Sequence, residues 1–359
     1  MSSPLRSARR TTPREDLITV LIGLWLTTGG FLDGYTHRNL DTPETFFSPW
    51  HSVLYSGYLA AVAWVTWLVA RNRAQTSSLR EAIPSGYQTS VTGLAVFAAG
   101  ALGDMYWHTV FGIEVSVDAL LSPTHFVLLA GALMYLSGPL RAWWRDSPAS
   151  PNGLAHFWPP LLALTLSAAE MGFFFQYADG FFTRFMAVPY VPATDEGVLQ
   201  LVVGLTSMLV TTIILMGALL LMIRRWNPPF GAGVVMFGLF GLLMSGLSGY
   251  EFAEDLIPPL VGGITADLLI RYVHRGPGQL SRIRLLAFIV PLIMWTARMA
   301  VFSVSSEMEW PTAVWTGAIV FGGLAGVSAS LLVFPPGSTL KTKRTHAPQM
   351  AVPSDTPRG

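Results

Sequence analysis

Apolar residues occur in long runs that are separated by short polar segments. Ten such runs are present, and each is close to the roughly 20 residues that an α-helix needs to cross a bilayer. Barrel strands alternate apolar and polar positions, whereas these runs do not. The pattern therefore predicts an all-α transmembrane helical bundle of about ten spans, at residues 16–35, 51–70, 88–107, 123–140, 157–176, 197–222, 230–249, 257–273, 284–305 and 312–334.

The composition supports a membrane environment and narrows the possible chemistry. Of the 359 residues, 52% are hydrophobic and 12% are charged, against about 25% charged residues in a typical soluble domain. The chain has no cysteine, which excludes disulfides, thiolate metal sites and thiol nucleophiles. No basic patch interleaved with aromatic residues indicates nucleic-acid binding. The lipid bilayer is thus the first expected partner.

Arginine and lysine fall almost entirely in alternate loops. If the N-terminus is cytoplasmic, the opposite loops contain little more than Arg38 and Arg184. By the positive-inside rule, this asymmetry predicts a multi-pass protein of the cell membrane with both termini in the cytoplasm. The positive charges on the predicted inner side are Arg6, Arg9, Arg10, Arg14, Arg71, Arg73, Arg80, Arg141, Arg145, Arg224, Arg225, Arg271, Arg275, Arg282, Arg284, Lys341, Lys343 and Arg344.

Four segments follow from this topology. Residues 1–15 form a cytoplasmic N-terminal segment, and residues 16–145 form a four-span region. Residues 146–334 form a second region of about six spans. The remaining residues, 335–359, are rich in proline, serine, threonine and lysine, a composition typical of disordered tails.

The four-span region contains one pattern twice. Asp33 is followed four residues later by His37, and Asp104 is followed likewise by His108. Downstream, residues 44–51 read ETFFSPWH and residues 118–125 read DALLSPTH, with a glycine six residues after each final histidine. Loop lengths between the matching positions differ by three residues, which loops tolerate. We interpret the pattern as a two-helix hairpin of about 70 residues, duplicated in tandem.

Helical geometry brings the polar residues of this pattern to one level. An Asp and a His at i and i+4 lie on one helix face. Pro49 and Pro123 suit the first turn of a helix, and Ser48 and Ser122 suit the N-cap before it. The topology places these positions at the outer membrane face. Eight residues should converge there: Asp33, His37, Glu44, His51, Asp104, His108, Asp118 and His125.

Two histidines and one carboxylate per hairpin form the donor set of a facial triad, which suits Cu, Fe or Zn when thiolates are absent. The predicted metal ligands are Asp33, His37 and His51 for one ion, and Asp104, His108 and His125 for another or for a shared pair. Ionisable groups near the hydrocarbon edge are costly and usually functional. A metal-free polar or proton-carrying network and simple interfacial structure are the alternatives.

The first motif resembles a known metal-binding pattern. Asp33-x3-His37-x13-His51 is similar to the D-x3-H-x12-H motif in the C subunit of particulate methane and ammonia monooxygenases, and Asp104-x3-His108-x16-His125 is a looser copy. The family has one such motif, with a shorter spacer. The resemblance implies that each Asp and its two histidines bind copper within the membrane. The whole chain also resembles uncharacterised multi-span proteins of high-G+C bacteria, which implies no function.

Three classes of function remain open. The first is a membrane oxidoreductase that acts on a small or lipophilic substrate, with Cu or Fe favoured and an electron-donor partner protein required. The second is a zinc-dependent lipid hydrolase, in which Glu44, Asp118 or Glu170 is the catalytic base. The third is a transporter or metal-handling protein. Arg298, inside the ninth run, needs an anion, for which the sequence offers Glu170, Glu251 and Asp267.

Overall fold

The computed structural model describes residues 10–39, 48–112, 120–192, 194–273 and 278–336. These residues form α-helices joined by turns and short 3₁₀ helices, and they include no β-strand. The helices are α1 (Pro13–Asn39), α2 (Pro49–Arg73), α3 (Leu79–Ala82), α4 (Gln88–Phe111), α5 (Pro123–Asp146), α6 (Trp158–Phe174), α7 (Asp195–Arg225), α8 (Ala232–Gly246), α9 (Ile257–Val273), α10 (Gln279–Val304) and α11 (Thr312–Val333).

Each of the ten apolar runs corresponds to one helix. Among the described α-helices, the four-residue α3 lies outside these runs. Within the described residues, seven helices are long and apolar enough to cross a membrane: α1, α2, α5, α7, α9 with its preceding turn, α10 and α11. The chain therefore fits a multi-pass membrane protein. Helices α6 and α8 have 17 and 15 residues, shorter than the roughly 20 that a full span needs. The count of ten crossings stays a prediction.

The helix starts at α2 and α5 confirm the capping prediction. Ser48 and Ser122 are the N-caps, and each side chain accepts a hydrogen bond from the amide of the histidine three residues later. A proline follows each cap in the first turn, where its missing N–H costs nothing. Because each cap fixes the start of its helix, it also fixes the histidine of the first turn.

Helices α1 and α2 form one antiparallel pair, α4 and α5 form a second pair, and α6 packs against both α1 and α5. Glycines set the close approach within each pair. A Cβ on Gly57 would lie 2.9 Å from the Leu26 backbone, and a Cβ on Gly131 would lie 2.6 Å from the Phe97 backbone. Leu26 and Phe97 hold matching positions in the sequence pattern, as do the two glycines. The two pairs thus pack by equivalent contacts.

Gly131→Ala should destabilise the protein by about 1–3 kcal/mol, because the added methyl group meets backbone atoms that cannot move aside. Gly217→Ala is the matched control, since a Cβ on Gly217 meets no atom within 4 Å. In the control, alanine should keep or raise stability, because it favours a helix more than glycine does. Thermal unfolding of the purified variants in detergent compares them. Equal melting temperatures for the two variants would show that the α4–α5 contact is not tight.

The anion that neutralises Arg298 is Asp255, so the candidates offered by the sequence were wrong. Arg298 is fully buried, and its Nη1 pairs with Asp255 Oδ1. The second oxygen of Asp255 accepts a hydrogen bond of 2.7 Å from Arg184 Nη1, and Arg184 also pairs with Glu307. This network ties α10 to the loops before α7, α9 and α11. The rejected candidates are Glu170, Glu251 and Asp267.

Asp267 has a different partner, the N-terminus of α8. Its carboxylate accepts backbone hydrogen bonds of 3.0, 2.8 and 3.1 Å from Gly231, Gly233 and Val234. The first amides of a helix have no partner within the helix, and a carboxylate also suits the positive end of the helix dipole. These three hydrogen bonds explain how the buried carboxylate of Asp267 is tolerated inside α9.

Candidate metal centre

The first predicted triad assembles where α1 meets the start of α2. Asp33 and His37 lie one turn apart on α1, with 3.5 Å between Asp33 Oδ2 and His37 Nε2. The other oxygen of Asp33 lies 3.4 Å from His51 Nδ1. The two imidazole rings meet edge to face, with centroids 5.8 Å apart. Helix α1 continues to Asn39, beyond the end of the first apolar run, so Asp33 and His37 lie on the same helix.

The second triad consists of the same residue types between α4 and α5, but its second histidine faces the aspartate with Nε2. Asp104 Oδ2 lies 3.3 Å from His108 Nε2, and Asp104 Oδ1 lies 3.3 Å from His125 Nε2. The Asp104 side chain is 2% exposed. Thr124 Oγ1 donates a hydrogen bond of 2.9 Å to Asp104 Oδ1. This carboxylate is therefore held from both sides, by α4 and by the first turn of α5.

Further contacts orient the imidazoles. Ser48 Oγ lies 2.9 Å from His51 Nδ1, and Ser122 Oγ lies 2.8 Å from His125 Nδ1. In the second triad, this contact leaves the Nε2 atom of His125 facing Asp104. His108 is placed likewise, since its Nδ1 lies 3.3 Å from the carbonyl oxygen of Gly112. For His125 and His108 these are contacts to the far ring nitrogen, the usual way in which proteins orient metal-binding histidines. His51 instead has both Ser48 and Asp33 at its Nδ1.

The residues present fit a transition-metal ion at either triad. In each triad, one donor atom per residue lies within 4.8 Å of the other two. The donors are two imidazoles and a carboxylate, which Cu, Fe and Zn accept. Among the described residues, Asp33 Oδ1 is buried and forms no hydrogen bond, and His51 Nδ1 lies 3.4 Å from it. A buried carboxylate oxygen of this kind carries a desolvation cost that a bound cation would offset.

Both triads open onto a single cavity of about 490 Å³. This volume lies within the range of roughly 300–1,000 Å³ that is typical of ligand sites. The cavity lies between the α1–α2 pair and the α4–α5 pair, with α6 as its third side. Its walls between the polar groups are apolar: Leu26, Phe31, Leu54, Phe97, Leu128 and Phe173.

Tyr55 is a cavity residue that the sequence reasoning missed. Its ring stacks on His51, with centroids 6.0 Å apart and an interplanar angle of 16°, and it interacts electrostatically with both Asp33 and Asp104. It therefore lies between the triads. The missed signal was its spacing, because Tyr55 follows His51 by four residues and so shares its helix face. The matching position after His125 is Leu129, so the cavity is not symmetric.

Glu170 lines the same cavity from α6. Its Oε1 accepts a hydrogen bond of 2.6 Å from Thr27 Oγ1. Thr27 lies on α1 six residues before Asp33, which corresponds to about 9 Å along the helix axis at a rise of 1.5 Å per residue. Glu170 and the triads therefore mark opposite ends of the cavity.

The structure thus brings together the six predicted metal ligands in two triads and places Glu170 on their shared cavity. The other two predicted catalytic residues, Glu44 and Asp118, lie outside the described residues. Comparisons of the chain with protein-family models, with curated proteins and with solved structures find no match.

Proposed function

We propose that this protein is an integral membrane metalloprotein that binds one transition-metal ion in each triad, and that it is an oxidoreductase of the membrane monooxygenase kind. Its substrate would be a small or lipophilic molecule held in the cavity between the helix pairs. The observation that carries this proposal is the opening of two Asp-His-His sets onto one apolar cavity. Ionisable clusters at membrane depth are costly, and they usually mark a functional site.

The donor set favours Cu or Fe, with Zn as the alternative. Three protein ligands leave coordination positions for an exogenous molecule, as in facial-triad sites. A bound redox metal would supply electron transfer and activation of a small oxidant. The resemblance of Asp33-x3-His37-x13-His51 to the copper motif of the monooxygenase C subunit supports the same choice. The chain would take electrons from a partner protein.

The residues around the triads would have positioning roles. Ser48 and Ser122 orient the histidines at the starts of α2 and α5. Tyr55 offers a hydroxyl group between the two sites. The apolar walls exclude water, which strengthens electrostatic interactions inside the cavity.

We further infer that the two hairpins arose by tandem duplication. The support is the equivalence of the two triads, of the two serine caps and of the glycine contacts within each helix pair. Under the orientation given by the arginine and lysine distribution, both sites would face outward and both termini would be cytoplasmic. The cavity would then open near the outer leaflet, where lipophilic molecules partition.

A zinc-dependent hydrolase is the second candidate, because Glu170 supplies a carboxylate to the same cavity. A general base must reach its proton directly or through one water. The separation of about 9 Å along α1 between Thr27, the partner of Glu170, and Asp33 disfavours this role. In the hydrolase, Glu44 or Asp118 would have to act instead.

Elemental analysis of the detergent-purified protein tests the proposal. We expect about two equivalents of Cu or Fe per chain, one for each three-ligand set. A sample treated with chelator and reloaded with each metal in turn is the control for losses during purification. Stoichiometric Zn with no binding of Cu or Fe would favour the hydrolase. A folded protein that binds none of these metals would reject both enzymes and leave transport.

A further inference from the structure

The inner end of the cavity holds a polar pair that the metal sites do not use. Glu170 accepts its hydrogen bond from Thr27, and among the described residues no other donor reaches its carboxylate. Glu170 lines the cavity, and its second oxygen, Oε2, accepts no hydrogen bond from the described residues. The carboxyl group therefore presents one acceptor oxygen to the cavity.

The part of the chain that the structure describes supplies no cation for Glu170. Among the described residues, the only arginine or lysine that lines the cavity is Arg38, next to His37 at the triad end. An acid within a membrane-spanning bundle normally pairs with a cation or with hydrogen-bond donors. A ligand in the cavity could therefore supply a second hydrogen-bond donor to the Glu170 carboxyl group.

The length and the apolar walls of the cavity indicate the part of the ligand that lies beyond its donor group. About 9 Å of α1, at 1.5 Å per residue, separates the level of Thr27 from the level of Asp33. The walls over this length are leucine and phenylalanine side chains, which favour a hydrocarbon segment. A molecule that fills the cavity would have a donor group at the Glu170 end, an apolar middle and its far end beside the triads.

We propose that the cavity binds a linear amphiphile with a hydroxyl or amino head group, and that Glu170 accepts a hydrogen bond from that head group. This inference rests on the proposed function, since it names the substrate class of the same cavity. The far end of the hydrocarbon chain, rather than the head group, then lies beside the metal sites. Glu170 is accordingly a binding residue and not a base.

Binding of three tritiated probes to the protein in lipid nanodiscs tests this. The probes are decylamine, decanol and decane, which share a chain length and differ in the head group. Each is measured with the chelator-treated protein and with the metal-loaded protein. Because all three probes partition into lipid, the background is measured with Gly30→Leu, which fills the cavity. The nearest atom to a Cβ on Gly30 is Leu54 Cδ1 at 3.9 Å, so this variant should fold.

We expect decylamine or decanol to bind about tenfold or more tightly than decane, as a hydrogen bond to a buried carboxyl group predicts. Glu170→Leu should abolish this preference and leave decane binding unchanged. Glu170→Gln separates the two head groups, because the amide still accepts a hydrogen bond from decanol and loses its charge for decylamine. Circular dichroism checks that each variant is folded.

Equal binding of the three probes to wild type, or a preference that survives Glu170→Leu, would overturn the inference. Its failure is distinguishable from failure of the proposed function, because the chelator-treated protein reports on the cavity alone. A head-group preference in a protein that binds no metal would retain the ligand class and reject the metalloenzyme. Bound metal without a head-group preference would do the reverse.

Discussion

Asp33→Ala should remove about one equivalent of metal from the protein and leave the second in place, and Asp104→Ala should do the same at the other triad. Each aspartate lies between its two histidines and is the one carboxylate that the described residues contribute to its triad. Loss of a ligand should weaken the affinity by more than about 100-fold, since changes behind the ligands already cost 10–100-fold. The double variant should bind neither ion. Metal content per folded chain gives the result.

His156→Ala is the control for this experiment. His156 is exposed and belongs to neither triad, so its removal should leave the metal content unchanged. If either single Asp variant lost both ions, the triads would form one coupled dinuclear site rather than two separate ones. Full metal content in the double variant would contradict the assignment of the ligands.

Asp255→Ala should destabilise the protein by about 3–5 kcal/mol, the usual cost of removing one partner of a buried ion pair. Arg298 is fully buried, and its ion-pair partner among the described residues is Asp255. The variant removes the ion-pair partner of a buried guanidinium group, and the more weakly interacting carboxylate of Asp179 remains. Reversible unfolding in detergent measures the loss of stability.

Glu307→Ala is the matched control in the same network. The Glu307 side chain is 38% exposed, so its pair with Arg184 should contribute only about 0–1 kcal/mol. A double variant, Asp255→Leu with Arg298→Met, should recover part of the stability, because apolar replacements of a buried pair are often tolerated. If Asp255→Ala were as stable as Glu307→Ala, the pair would not hold the bundle together.

Local spacing made the helices and the two triads predictable. Each apolar run specifies a helix by its length, and Asp33 and His37 share a face because they are four residues apart. Ser48 with Pro49 specifies the start of α2 by capping chemistry alone. These inferences need no knowledge of how distant helices meet.

Contacts between helices that are far apart in sequence could not be predicted in this way. The sequence offers several acids for Arg298, and only the packing of α10 against the turn before α9 selects Asp255. The shared cavity likewise depends on the space between the α1–α2 pair and the α4–α5 pair, which the sequence does not indicate. The sequence pointed to Glu170, and spacing from His51 could have indicated Tyr55. The contact of Glu170 with Thr27 joins two helices that are far apart in sequence, so no local pattern predicts it.

The most direct test of the account is anomalous diffraction from crystals of the metal-loaded protein, recorded at the absorption edge of the metal found by elemental analysis. The account predicts two anomalous peaks, one between Asp33, His37 and His51 and the other between Asp104, His108 and His125. Crystals of metal-replete protein with no peak in either triad, or with their metal bound elsewhere, would contradict it.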